Sequence, residues 1–204
     1  MHVFVQKHLS FMTNIAIFAS GNGSNAENIA EYFSNNETIK VKLIVSNRLN
    51  AFVHERAKRL NIPSVTFNKE DFSAVWGVLE KLREYDINFI VLAGFLLKVP
   101  QEIINAFPYC IVNIHPALLP KYGGKGMYGD NVHLAVKNGG DKKSGITIHY
   151  INENYDEGDI IFQTTCDVKP EDLPETIAKN VHELEYEYYP KVIESIINST
   201  ESNK

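Results

Sequence analysis

Asn14-Ile-Ala-Ile-Phe-Ala19 runs straight into Ser20-Gly-Asn-Gly-Ser24, and from Asn25 onward apolar residues recur at Ala26, Ile29, Tyr32 and Phe33. The first run is short and continuously apolar, as in a strand buried on both faces; the recurrence after it has the period of an amphipathic helix. The residues between them form a strand-to-helix turn. Glycine there permits positive φ and close backbone approach, and a helix N-terminus presents unpaired N–H groups to an anion. Ser24 and Asn25 also suit an N-cap. The turn therefore marks Gly23, Ser24 and Asn25 as candidate phosphate ligands, although a plain tight turn has the same composition.

Working outward, the alternation continues. Val41-Lys-Leu-Ile-Val45 reads as a second strand, and Val53, Ala57 and Leu60 mark a helix closed by Asn61-Ile-Pro63. Ser64-Val-Thr-Phe67 is a weaker strand, and Phe72, Val75, Trp76, Leu79 and Leu82 follow at helical spacing. Asn88-Phe-Ile-Val-Leu-Ala93 and Ile111-Val-Asn-Ile114 are further buried strands. Gly145-Ile-Thr-Ile-His-Tyr150 and Ile160-Ile-Phe-Gln-Thr164 form a late β-pair across a polar loop. A long helix carries Ile177, Val181, Leu184 and Tyr188 on one face, with a kink or break expected at Pro190. Residues 1–11 are expected to lie outside the fold, 12–198 to form a single domain, and 199–204 to be a fraying polar tail. The fold class is α/β: an open, mostly parallel twisted sheet with helices on both faces, Rossmann-like, whose ligand site lies at the C-terminal ends of the strands.

Composition narrows the partners. The 204 residues carry a formal charge of −5, which offers no basic footprint for long nucleic acid. No apolar run approaches the roughly 20 residues of a membrane span, so no membrane partner is expected. The two cysteines, Cys110 and Cys166, sit in apolar runs and read as core residues of a reducing, cytoplasmic setting. No Cys/His spacing suggests zinc, and no metal is expected. The expected partners are small molecules, and the expected assembly is a monomer or weak homodimer.

Chemistry concentrates in Ile111-Val-Asn113-Ile-His115-Pro-Ala-Leu-Leu-Pro120-Lys-Tyr122. Asn113 and His115 are two apart in a strand and so share a face. An amide donor beside an imidazole can serve acyl transfer, one group for a developing oxyanion and one for a moving proton. A core asparagine and a satisfied histidine would show the same spacing. The glycine turn also admits a dinucleotide reading. That reading wants an acidic residue about 20 positions on, where this chain has Ser46-Asn47-Arg48, which rejects NAD and leaves a weak case for NADP.

Asn113-Ile-His-Pro-Ala-Leu-Leu-Pro-Lys-Tyr122 resembles the signature of the folate-dependent formyltransferases, and the stretch from His149 through Asp156 and Gly158 to Gln163 resembles their second motif. Ala93-Gly-Phe95 is similar to the family's folate-side strand end. The resemblance covers roughly residues 12 to 193. It implies a Rossmann-like formyltransferase fold with 10-formyltetrahydrofolate as co-substrate and no metal. Ser20-Gly-Asn-Gly-Ser-Asn25 is similar to the phosphate loop of the members that act on glycinamide ribonucleotide in purine (IMP) synthesis. The chain leaves no room for the extra domains of methionyl-tRNA formyltransferases or formyltetrahydrofolate deformylases.

By that resemblance Asn113, His115 and Asp156 are the catalytic trio, with Asp156 expected close enough to His115 to favour its charged form. Gly23, Ser24, Asn25, His182 and Glu185 would hold the nucleotide; the last two share a helix face at i, i+3. Leu96, Leu97, Lys98 and Val99, together with Asn113 and Asp156, would bind folate beneath the 151–158 loop. The chain departs from the family pattern at Leu97 and near Asp71, where arginine or another basic residue is usual; Lys69 or Lys98 could substitute. The glycine-rich stretch 121–129 is longer than usual and suits a mobile flap. His149 is expected to orient the loop or face nucleotide, and His133 to be a helix residue with a local partner. Two other readings stay open: transfer to a different nucleotide-linked amine, and a non-catalytic nucleotide-binding module in which Asp156 would be displaced.

Overall fold

The computed structural model describes residues 12–202. The expected extension at 1–11 lies outside the described residues. The elements are β1 (Thr13–Phe18), α1 (Ser24–Tyr32), β2 (Ile39–Ser46), α2 (Val53–Arg59), β3 (Ser64–Thr66), α3 (Lys69–Ala74), α4 (Trp76–Glu84), β4 (Phe89–Leu92), α5 (Gln101–Ala106), β5 (Ile111–His115), α6 (Asp130–Asn138), β6 (Lys143–Tyr150), β7 (Ile160–Asp167) and α7 (Pro174–Ser202). They build one seven-stranded sheet in the order β3-β2-β1-β4-β5-β6-β7. The strands β1 to β5 run parallel, and β6 and β7 return antiparallel on one edge.

Alternation along the strands divides the core in two. Ile15, Ile17, Val91, Val112, Ile146 and Ile148 pack with α1, α2, α6 and α7. Ala16, Phe18, Leu43, Val45, Ile90 and Leu92 pack with α3, α4 and α5 on the other face. Both faces of β1 and β4 are therefore dry, as their uninterrupted apolar sequences require.

Three expectations need correcting. The apolar spacing of 72–82 was read as one helix, but the chain breaks at Val75 (φ 61), between α3 and α4. The Asn68/Asp71 capping box starts a short separate helix. Val75 stays in the core, and Trp76, expected on the apolar face, turns outward and is 70 % exposed.

At the other end, α7 neither breaks at Pro190 nor stops before the tail; it runs to Ser202. Proline lacks the N–H that would bond the carbonyl four residues back. Here that carbonyl, of Tyr186, accepts instead from the Asn28 side chain of α1 at 2.9 Å. Finally, the two cysteines are not joined in a disulfide and are only half-buried, at the margin of the core.

Tyr189 ties α7 to the sheet. It is fully buried, and its hydroxyl donates to Leu92 O at 2.9 Å and lies 3.2 Å from Val112 O. Tyr189→Phe keeps the packing and deletes the hydrogen bond. It should lower unfolding free energy by about 1–2 kcal/mol in urea titration with an unchanged m-value.

Candidate active site

Strand order reverses between β1 and β4, which opens a crevice at their C-terminal ends. Ser20, just past β1, donates its N–H to Gly94 O at 3.0 Å, and its hydroxyl accepts the Leu96 N–H at 2.8 Å. These bonds tie the β1 and β4 exits together at the base of the crevice. Above them lies a cavity of about 610 Å³, within the range of small-molecule sites.

One wall is the glycine turn. Gly23, rather than Ser24 or Asn25, is the N-cap of α1, and no side chain caps the helix. It has φ +75, and a Cβ added there would lie 2.4 Å from Val53 Cγ2 of α2. Only glycine meets both conditions. The uncapped first turn faces the cavity, lined by Gly23, Ser24 and Asn25. Arg56 steadies the turn by donating to the backbone and side-chain oxygens of Asn22 at 2.8 and 2.7 Å.

The floor is the β5/β6 junction. Register pairs Asn113 with His149 and His115 with Thr147. Asn113 Nδ2 lies 3.1 Å from His149 Nε2, and His149 Nδ1 lies 2.8 Å from Tyr150 O. A carbonyl can only accept, so Nδ1 carries the ring proton and Nε2 accepts from Asn113. Burial pushes the His149 pKa down, which keeps the ring in that neutral form. The Asn113 amide is thereby held in one orientation, with its second N–H free for a ligand.

His115 is 3 % exposed. Its Nε2 lies 2.7 Å from Tyr122 O, and its Nδ1 faces Asp156 Oδ2 at 3.5 Å. Both ring nitrogens thus face acceptors, an arrangement that only an imidazolium satisfies in full. The same Asp156 oxygen accepts the Gly124 N–H at 2.9 Å, which ties the 151–158 loop to the glycine-rich 121–129 stretch. Beneath that loop Gly158 passes so close to β6 that a Cβ would lie 1.8 Å from Tyr150 O.

Thr147 locks the segment after His115. Its hydroxyl accepts the Leu119 N–H at 3.0 Å and the Gln163 Nε2–H at 2.8 Å, and donates to Ala117 O at 2.7 Å. Gln163 also donates to Leu119 O at 3.0 Å.

From α7, Glu185 is buried and accepts from Asn25 Nδ2 at 2.8 Å, while His182 Nδ1 lies 2.7 Å from the same Oε2. That hydrogen bond raises the His182 pKa.

Asn113, His115, Asp156, Gly23, Ser24, Asn25, His182, Glu185 and Leu96 all line this one cavity. Leu97, Lys98 and Val99 do not; Val99 is buried in the core and Lys98 is exposed. Asp71 has a structural use, its carboxylate accepting the Asn68 N–H at 2.7 Å in the α3 cap. His149, expected to orient the loop or face nucleotide, does not line the cavity; its Nε2 lies 3.1 Å from Asn113 Nδ2 and 3.7 Å from Asp156 Oδ1 of the 151–158 loop.

His133, expected to be a helix residue with a local partner, lies on α6 but is 2 % exposed and lines the cavity, along with Lys125, Tyr128 and Tyr155. The signal was positional: His133 lies in the first turns of a helix that enters at the ligand edge of the sheet. Ser46, Asn47 and Arg48, which the dinucleotide reading needs, line no part of the cavity.

An amide, an imidazole and a carboxylate are thus gathered at the switch point of an α/β sheet, opposite an open helix N-terminus. Residues 13–193 match the formyl transferase family, and the chain belongs to it. It is 41 % identical over 188 residues to the chloroplastic phosphoribosylglycinamide formyltransferase of Arabidopsis thaliana, covering 89 % of this chain and 64 % of that protein. The phosphoribosylglycinamide formyltransferase of Bacillus subtilis is 36 % identical, with 91 % of this chain and 95 % of that one covered. The chain thus spans under two thirds of its plant relatives and nearly all of the bacterial one. Among solved structures, the Streptococcus pneumoniae phosphoribosylglycinamide formyltransferase superposes with a TM-score of 0.81 at 34 % identity, covering 91 % and 99 % of the two chains.

Two measurements check this geometry. Thr147→Val leaves the Leu119 N–H and Gln163 amide without their shared partner and should cost about 1–3 kcal/mol in chemical unfolding. The second follows from His149. Its folded pKa is depressed below 6.5, so its contribution to stability is complete above that value and is lost as pH falls through 6.5, where the unfolded chain takes up the proton first. The urea midpoint should drop from pH 7 to pH 5, and His149→Gln should flatten that drop.

Proposed function

We propose that the protein transfers a formyl group from 10-formyltetrahydrofolate to the amine of glycinamide ribonucleotide, a step of purine synthesis. One observation carries the reading: the His115 ring sits between Tyr122 O and Asp156, with the fixed Asn113 amide on the same strand face, in the cavity walled by the open α1 N-terminus. The names of the Arabidopsis, Bacillus and Streptococcus relatives point to the same acceptor.

The folate side is supported by the β4 exit. A Cβ at Gly94 would meet nothing within 4 Å, so the wall of Ala93, Gly94, Phe95 and Leu96 leaves space for a flat ring system. The 151–158 loop, through Tyr155 and Asp156, would form the facing wall. The co-substrate supplies a formyl carbon open to attack by an amine.

The residues divide the work. An α-amino-like group has a pKa of about 7.7–8.0, so a useful fraction is neutral near pH 7 and no covalent enzyme intermediate is needed. The free Asn113 N–H and a protonated His115 donate to the formyl oxygen as it gains charge. The bond from the formyl carbon to the folate nitrogen then breaks, and the proton given up by the attacking amine passes to that leaving nitrogen by way of His115 or a water. Asp156 lies where it offsets the imidazolium, and Tyr122 O holds the ring by its far nitrogen. The uncapped turn at Gly23, Ser24 and Asn25 would receive the phosphate, and Glu185 the glycinamide end. Two cysteines without a disulfide suit a reducing, cytoplasmic setting.

The test is direct: incubate the protein with 10-formyltetrahydrofolate and glycinamide ribonucleotide and follow folate release. Transfer is expected, and His115→Ala should lower kcat at least about 10²-fold, the scale of a lost oxyanion donor. Transfer only to other amines, or wild-type turnover in the variant, would overturn the acceptor or the mechanism respectively.

A further inference from the structure

The charges lining the cavity are unsuited to a phosphate. Lys125 is the lysine on its wall, against the carboxylates of Asp130, Asp156 and Glu185. Backbone N–H groups of α1 can bond a phosphate but bring only partial charge. A dianion entering this site therefore needs protons, and the groups able to take them are His115, His133 and His182. His115 is committed to Tyr122 O and Asp156.

His133 has no such commitment. It sits on α6, is 2 % exposed, and its Nδ1 is buried without a hydrogen-bond partner among the described residues. A buried polar nitrogen left unpaired is costly and calls for an explanation. Its ring stands 6.4 Å from the His182 ring, edge to face. Through His182, Glu185 and Asn25 it connects to the glycine turn in one chain of contacts. Gly129, the N-cap of α6, offers no side-chain cap either, so a second nine-residue helix opens toward the same cavity.

We propose that His133 is a ligand-contacting residue of the phosphate subsite and takes up a proton when a phosphate dianion binds. The inference rests on the phosphate placement proposed above. The groups that bear on His133 fit the switch: His182 and Glu185 from α7, Asp130 from its own helix, and His115 from β5. In the free protein, burial first and the neighbouring His182 second lower the His133 pKa, so the ring is neutral. A dianion beside it reverses that balance, and an imidazolium then donates a charge-assisted hydrogen bond.

The probe is ribose 5-phosphate, which lacks the reacting amine. Calorimetric titration at pH 8, in buffers of different ionisation enthalpy, counts protons taken up, and at that pH the phosphate itself is already dianionic (second pKa about 6). Wild type should take up as much as one proton per site, about, with Kd weakening by up to about tenfold per pH unit. His133→Asn should abolish the uptake and weaken binding by about ten- to a hundredfold. Nitrogen-15 NMR of the wild-type histidines serves even where the variant does not fold. One ring should change from a single neutral tautomer to imidazolium on titration with ribose 5-phosphate.

Undiminished uptake in His133→Asn, or uptake lost only in His182→Asn, would sink the proposal. Formyl transfer without proton uptake would remove this inference and leave the proposed function standing. Uptake without transfer would do the reverse. Failure of the wild type to bind ribose 5-phosphate would remove the phosphate subsite and His133 with it.

Discussion

Everything at the site depends on the register of β5 against β6. Side chains directly opposite on an antiparallel pair lie on the same face and touch. Pairing Asn113 with His149 and His115 with Thr147 does two things in alternate rungs of one face. The first rung orients an amide by a buried neutral imidazole. The second places a hydroxyl where it fastens the loop that leaves the strand, through Leu119 and Ala117. A slip of β6 by one residue would turn His149 and Thr147 to the opposite face, away from Asn113 and His115. The isoleucines at 146 and 148, packed against α7's side of the sheet, make such a slip expensive because they would leave the core.

Around this rigid floor the movable parts are held by few contacts. Asp156 meets the 121–129 stretch through one hydrogen bond to Gly124, and it reaches His115 at 3.5 Å. A carboxylate held by one hydrogen bond and by longer contacts to His115 and His149 is suited to adjusting when a ligand arrives. The glycine turn is the opposite case. Gly23 is wedged against Val53, and Asn22 is gripped by Arg56, so the N–H groups of α1 are presented without reorganisation. A preformed anion site beside an adjustable acid–imidazole pair divides binding from chemistry, which lets remote binding energy position the reacting groups.

Where sequence reading and structure part, packing overrode local pattern. Helical spacing across 72–82 was real, but the Asn68/Asp71 cap began one helix and Val75 ended it, leaving Trp76 in solvent. Pro190 removes a hydrogen bond in any helix, yet the remedy, Asn28 on α1, is 162 residues away and cannot be inferred from the local sequence. His133, expected to have only a local partner, departs from that reading for a similar reason. Its neighbours in sequence are ordinary helix residues, and its importance comes from α7 and the cavity on the far side of the ring.

The sequence by itself determined the alternation of buried strands and amphipathic helices, hence the open sheet and the location of a site at its strand ends. It also determined which residue types were available there: the glycines at the turn, the amide and imidazole two apart, and the aspartate of the later motif. Those are local properties, set by period, turn chemistry and composition. Tertiary structure alone decided that Tyr122 O and Asp156 flank one ring, that His149 is neutral and holds Asn113, and that Glu185 reaches Asn25 across 160 residues. Distances and protonation states depend on burial and on partners brought together by the chain's path, and neither is a property of any short stretch of sequence.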